Sequence, residues 1–171
     1  KDYFRTTSTF YSLPAFDVTF EYVDDDSWDA FTPSFTLDYQ VTSDSLLYAS
    51  AGRGFKSGGF NGRANEAAST GAYDPEYVWT YELGSKNTFA GGDWSYDIGI
   101  LTYNYPGTYP AGFVKPDTTE IYGQIGWKSV SLKYSSTVSS HIFGWTSATG
   151  GDTRGSGYTD LSFNQDLGKG W

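Results

Sequence analysis

Apolar and polar positions alternate along this chain with period two, the spacing that sends successive side chains to opposite faces of a β-strand. From Phe31 to Val41 one face carries Phe31, Pro33, Phe35, Leu37, Tyr39 and Val41, and the other carries Thr32, Ser34, Thr36, Asp38 and Gln40. The same separation returns from Val130 to Ser139, where Val130, Leu132, Tyr134 and Val138 alternate with Ser131, Lys133, Ser135, Thr137 and Ser139. Weaker alternation predicts strands over Phe16–Val23, Tyr77–Phe89, Trp94–Tyr105, Thr119–Trp127 and Tyr158–Leu167. Leu46–Phe55 and Tyr3–Ser12 are strand-like but less clearly two-faced.

The connectors carry a second pattern. Tight turns are expected at Leu13–Ala15, Thr42–Ser45, Ala90–Asp93, Lys128–Ser129 and Gly168–Gly170, and long polar loops at Asp24–Ala30, Ser57–Pro75, Pro106–Asp117 and Ser140–Ser156. Short and long connectors alternate, as in an up-and-down meander with one plain end and one decorated end. Greek-key sandwiches have no reason to keep that order. The fold class expected is therefore all-β: an antiparallel up-and-down transmembrane β-barrel of about eight strands, or a section of a larger barrel, forming one domain over residues 1–171.

Tryptophan placement fits the same orientation, because an indole prefers the interface where its ring and its N–H are both accommodated. Trp94, Trp127 and Trp171 sit beside short turns, and Trp28, Trp79 and Trp145 near long loops, which predicts two aromatic girdles. The bland alternative, ordinary core or loop aromatics, has even weight for any single Trp.

Composition narrows the classes. The 171 residues include 33 aromatics and 21 Gly but no Cys or Met, which excludes a disulfide framework and a thiolate metal site. A net charge of −9 gives no global attraction for nucleic acid. The apolar runs are far shorter than the ~18 residues of a membrane-spanning helix. A start at Lys1 without an apolar leader implies a processed mature chain or a portion of a longer one.

The segment from Ser27 to Phe89 closely resembles a barrel segment of TonB-dependent outer-membrane receptors. Its motifs are Gly54-Phe55-Lys56-Ser57-Gly58-Gly59-Phe60-Asn61, then Asp74-Pro75-Glu76, then Tyr81-Glu82-Leu83-Gly84 with Lys86. Beyond Phe89, GDWSYDIGILTYNYPG, TEIYGQIGW, VSLKYS and the terminal DLGKGW resemble the TorF-like putative porin family, so a family seam is expected near Ala90. Both resemblances imply a bacterial outer-membrane barrel, with a role in transport or as a barrel component. Nothing matches a receptor's plug, so autonomous active transport is not implied. Alternatives are a small porin-like or structural accessory barrel in a membrane complex, and a secreted glycan-binding β-domain whose apolar faces meet inside a sandwich.

Candidate chemistry is sparse. No catalytic residue, metal ligand or cofactor is predicted. The single His141 has no second His or Cys to work with, and the acidic run Asp24, Asp25, Asp26 and Asp29 lacks the glycine and spacing of a calcium loop. Arg53, Lys56 and Arg63 approach the long-loop end, where lipopolysaccharide phosphates would pair with them; the blander expectation is that Arg53 and Lys56 satisfy Asp74, Glu76 or Glu82. The expected partners are outer-membrane lipid and lipopolysaccharide, with other membrane subunits as a further candidate. Phe35, Leu37, Tyr39, Ile121, Ile125, Val130, Leu132 and Tyr134 are assigned to lipid. Asp38, Gln40, Glu82, Lys86, Asp97, Glu120, Gln124 and Lys133 are assigned to the lumen, which such side chains just fill in an eight-strand barrel.

Overall fold

The computed structural model describes residues 2–9, 21–61, 71–165 and 168, with side chains described from Asp25 onward. Two compact units make up the chain: Lys1–Thr32 with Gly54–Tyr77, and Pro33–Arg53 with Val78–Trp171.

In the first unit, β1 (Asp2–Thr9) and β2 (Glu21–Trp28) form an antiparallel two-stranded sheet with Asp2 opposite Trp28 and Thr9 opposite Glu21. Of the strand expected at Phe16–Val23, residues 16–20 lie outside the described residues; β2 covers Glu21–Val23 and continues through Asp24–Asp26, where a loop is expected from the sequence. Asp25 and Asp26 are exposed, so the strand carries these two charges without burying them. A short ribbon of β5 (Gly59–Phe60) and β6 (Ala72–Tyr73) lies within the long connector, each strand too brief to show periodicity. Trp28 packs edge-on against Phe60, with ring centroids 5.8 Å apart, and lies over Gly58, where an added Cβ would collide with the indole.

The second unit is built on a seven-stranded sheet of β3 (Ser34–Thr42), β4 (Ser45–Lys56), β7 (Glu76–Phe89), β8 (Trp94–Asn104), β9 (Thr118–Trp127), β10 (Val130–Thr137) and β11 (Gly157–Phe163). Their spatial order is β11-β10-β9-β8-β7-β4-β3, with antiparallel ladders and each strand beside its predecessor in the sheet. The connectors at 43–44, 90–93 and 128–129 are tight, and those at 57–75, 105–117 and 138–156 are long. The tight turns use the left-handed backbone: Ala90, Gly91 and Lys128 have φ of 53°, 71° and 51°. Gln40 reinforces another by donating from Nε2 to Thr42 O (2.5 Å) and Ser45 O (3.1 Å), beside the register shift between Gln40 and Thr42.

Among the described residues the sheet is not closed: β3 and β11 each have a neighbour on one side only. An all-β antiparallel meander is thus the architecture.

Register fixes which side chains share a face, because directly opposed residues point the same way. Leu161, Leu132, Ile125 and Tyr96 fall in one cross-strand row, and Ile121, Ile100 and Leu83 in another. The opposite face carries Lys133, Gln124, Asp97 and Lys86 in one row and Ser135, Tyr122 and Gly99 in another. Burial is inverted relative to a water-soluble sheet. Along β9 and β10, Ile121 and Leu132 are 49% and 45% exposed, whereas Glu120 and Thr137 are 2% and 1% exposed; β3 and β11, at the two edges, are exposed on both faces.

Two glycines permit the tight packing of the polar face. A Cβ on Gly84 would stand 2.5 Å from Tyr48 Cζ, and one on Gly99 would stand 2.5 Å from Tyr122 Oη and 2.9 Å from Leu83 O. Each tyrosine lies flat over a neighbouring strand where no side chain intervenes. Gly84→Ala and Gly99→Ala are therefore expected to destabilise the fold by about 1 to 3 kcal/mol. Gly123→Ala, with its nearest neighbour Ile98 Cγ2 at 3.9 Å, is expected to cost much less; equilibrium denaturant unfolding of the three variants checks the order.

Candidate functional site

The polar face holds the densest chemistry. Tyr122 on β9 donates from its hydroxyl to Glu82 Oε1 on β7 at 2.5 Å. The Tyr48 hydroxyl, from β4, is in hydrogen-bond contact with that of Tyr122 and stands 3.1 Å from Asp97 Oδ1 and 3.3 Å from Glu82 Oε1. Four strands therefore converge on one cluster of two phenols and two carboxylates. Two ammonium groups border it: Lys133 Nζ lies 3.8 Å from the Tyr122 ring centroid and Lys86 Nζ lies 4.8 Å from that of Tyr48. The ring faces attract these cations while the phenol oxygens turn to the carboxylates.

Towards the tight turns this face borders a cavity of about 560 Å³ whose walls include Gln40, Asp44, Lys86, Asn87, Asp97 and Gln124. Asn87, itself buried, is in hydrogen-bond contact with Ser45 and donates to Ser85 Oγ at 2.8 Å. Towards the long loops lies Glu120, whose Oε2 accepts from Tyr158 at 3.1 Å. Over the paired registers the face presents the carboxylates Asp38, Glu82, Asp97, Glu120 and Asp160 against the ammonium groups of Lys86 and Lys133. It is anionic in sum, in line with the whole chain.

The apolar face is capped at the tight-turn end by aromatics. Phe89 stacks on Trp94 (6.0 Å between centroids), and Trp94 meets Trp127 on the next strand at 6.2 Å, with Lys128 over the Trp127 ring. At the other end Trp79 stacks on Tyr81 at 6.1 Å, and Trp145 is exposed in the 138–156 connector. Trp28 differs from the expected girdle: it is only 8% exposed and its ring is used in packing against Phe60. Trp171 lies outside the described residues.

Of the three cations assigned to phosphate, Lys56 forms an exposed ion pair with Glu76 at 3.2 Å, the blander of the two expectations. Arg53 is half-buried, with its backbone N–H donating to Pro33 O at 2.9 Å, and Arg63 lies outside the described residues. Among the described residues no group of three or more His, Asp or Glu is arranged to hold a metal ion; the side chain of Asp24, in the acidic run, lies outside them.

Tyr48 and Tyr122 were not singled out from the sequence, although the signal was present: both fall in the polar phase of their strands, as do Gly84 and Gly99 opposite them. Tyr122→Phe removes the shorter of the two hydrogen bonds to Glu82 Oε1, a part-buried carboxylate oxygen, and is expected to cost about 1 to 2 kcal/mol. In a double-mutant cycle with Glu82→Gln, measured by denaturant unfolding, the two substitutions are expected to be non-additive.

Residues 43–170 match the family described as "Bacterial protein of unknown function (Gcw_chp)", and the chain belongs to it. The matched region includes both sides of Ala90. No solved structure matches the chain.

Proposed function

We propose that this protein is a bacterial outer-membrane β-barrel whose apolar face meets lipid and whose polar face lines a filled interior. The single observation that carries the reading is the inverted burial. Side chains such as Phe35, Leu37, Ile98, Ile125, Leu132 and Leu161 are exposed, while Tyr48, Glu120, Tyr122, Ser135 and Thr137 are buried. In water this arrangement leaves a continuous apolar surface unburied; against hydrocarbon it is the favoured one. A glycan-binding sandwich needs Phe35 and Leu132 in a dry interlayer; the exposure of Leu132, on a strand whose polar residues Ser135 and Thr137 are buried, favours the membrane reading over it. No helix of the described residues is long and apolar enough to cross a membrane, so strands would do the crossing.

Strand parity supports closure with one more strand. β3 and β11 run in the same direction, so seven strands cannot close by an antiparallel ladder, and an eighth between them completes an even-numbered barrel. In such a barrel the Tyr48–Tyr122–Glu82–Asp97 cluster crosses the lumen. An eight-strand interior is just filled by side chains, which favours a barrel component over a wide pore. The resemblance of Ser27–Phe89 to receptor barrel segments agrees with this setting, and lipopolysaccharide would be the neighbour of the long loops.

Two outcomes test the reading. Leu37→Arg and Leu132→Arg are expected to impair insertion into lipid vesicles by about 2 to 4 kcal/mol each near the midplane, while Thr36→Ala and Ser131→Ala change it little. Equal loss on both faces contradicts the assignment. In planar bilayers the inserted protein is expected to show no large steady conductance; a wide, constantly open channel would overturn the filled interior.

A further inference from the structure

Glu120 and Thr137 face each other directly across the β9–β10 ladder, on the buried polar face. Opposed residues in an antiparallel pair hold their Cβ atoms roughly 4.5 to 5.5 Å apart, so the two side chains share one small volume. Glu120 Oε2 is satisfied by Tyr158, but Glu120 Oε1 is buried with no hydrogen-bond partner among the described residues, and so is Thr137 Oγ1. The neighbouring hydroxyl is already committed: Thr118 Oγ1 donates to Pro116 O at 3.1 Å and accepts from the Phe143 N–H at 2.6 Å. Lys133, the cation on the same face of β10, is drawn instead over the Tyr122 ring.

A buried carboxylate oxygen without hydrogen bond or countercharge is costly, and a water would satisfy its hydrogen bonding but leave its charge uncompensated. We propose that Glu120 Oε1 and Thr137 Oγ1 are ligands of a small, hard monovalent cation such as Na⁺. Two hard oxygens suit such an ion. One carboxylate matches a single positive charge, whereas Ca²⁺ sites usually bring several carboxylates; water would complete the oxygen shell of either ion, so charge and not ligand count sets the choice. The surplus of carboxylates over ammonium groups on this face draws cations towards the site.

The experiment is thermal unfolding of the purified full chain in the medium that keeps it folded, with NaCl exchanged for choline chloride at constant ionic strength, alongside ²³Na line-width measurements. The wild-type protein is expected to gain a saturable rise in Tm with Na⁺ and to broaden the ²³Na signal. Glu120→Gln and Thr137→Val are expected to lose both responses, and Asp160→Asn, an exposed carboxylate on the same face, to keep them. If Glu120→Gln fails to fold, Thr137→Val carries the comparison, since it removes a ligand without touching the charge. Identical behaviour in Na⁺ and choline, as a proton or a water at Glu120 would give, overturns the proposal. So does a Na⁺ response that survives Thr137→Val, or a response confined to Ca²⁺.

Discussion

Everything in the larger unit depends on one constraint: a strand alternating strictly between apolar and polar residues must give its two faces to two different environments. Here the crowded face is the polar one. Tyrosines, carboxylates, lysines and small hydroxyls pack against one another, and the leucines, isoleucines and phenylalanines stand outside. The antiparallel ladders satisfy backbone groups between the strands, but they do not choose which face is inside. The side-chain network does, because its members lie on different strands and find their partners only on that side.

The network also explains the glycine pattern. Tyr48 reaches across β7 and Tyr122 reaches across β8 only because Gly84 and Gly99 leave the crossed backbone bare. Ring, glycine and carboxylate form a repeated unit in which the phenol lies flat and its hydroxyl arrives at Glu82 or Asp97. Buried polar clusters of this kind are costly when half-satisfied and specifying when complete, so the sheet's register and its interior chemistry depend on each other.

Much of this was legible in the chain. The alternation at Phe31–Val41 and Val130–Ser139 marks β3 (Ser34–Thr42) and β10 (Val130–Thr137) to within three residues and separates their faces, and the short and long connectors mark the meander. Less legible was the first unit, where Asp24–Asp26 read as a loop yet extends through β2, because a two-stranded ribbon leaves side chains such as Asp25 and Asp26 in solvent. The two-residue strands β5 and β6 are shorter than any periodic signal. Trp28 shows the limit of residue preference: an indole near a loop looked interfacial, but a bare Gly58 and the edge of Phe60 give it a pocket. Glu120 was placed on the polar face correctly, but its near-complete burial depends on neighbours from other strands, which a local pattern does not contain.

The most direct test of the account is a spin-label accessibility scan of residues 35–41 and 130–137 in lipid vesicles, comparing collisions with oxygen and with a polar nickel chelate. The account predicts a period of two in both segments, with oxygen maxima at Phe35, Leu37, Tyr39, Leu132 and Tyr134 and minima at Thr36, Asp38, Lys133 and Ser135. Maxima on the polar set, or no periodicity at all, would contradict it.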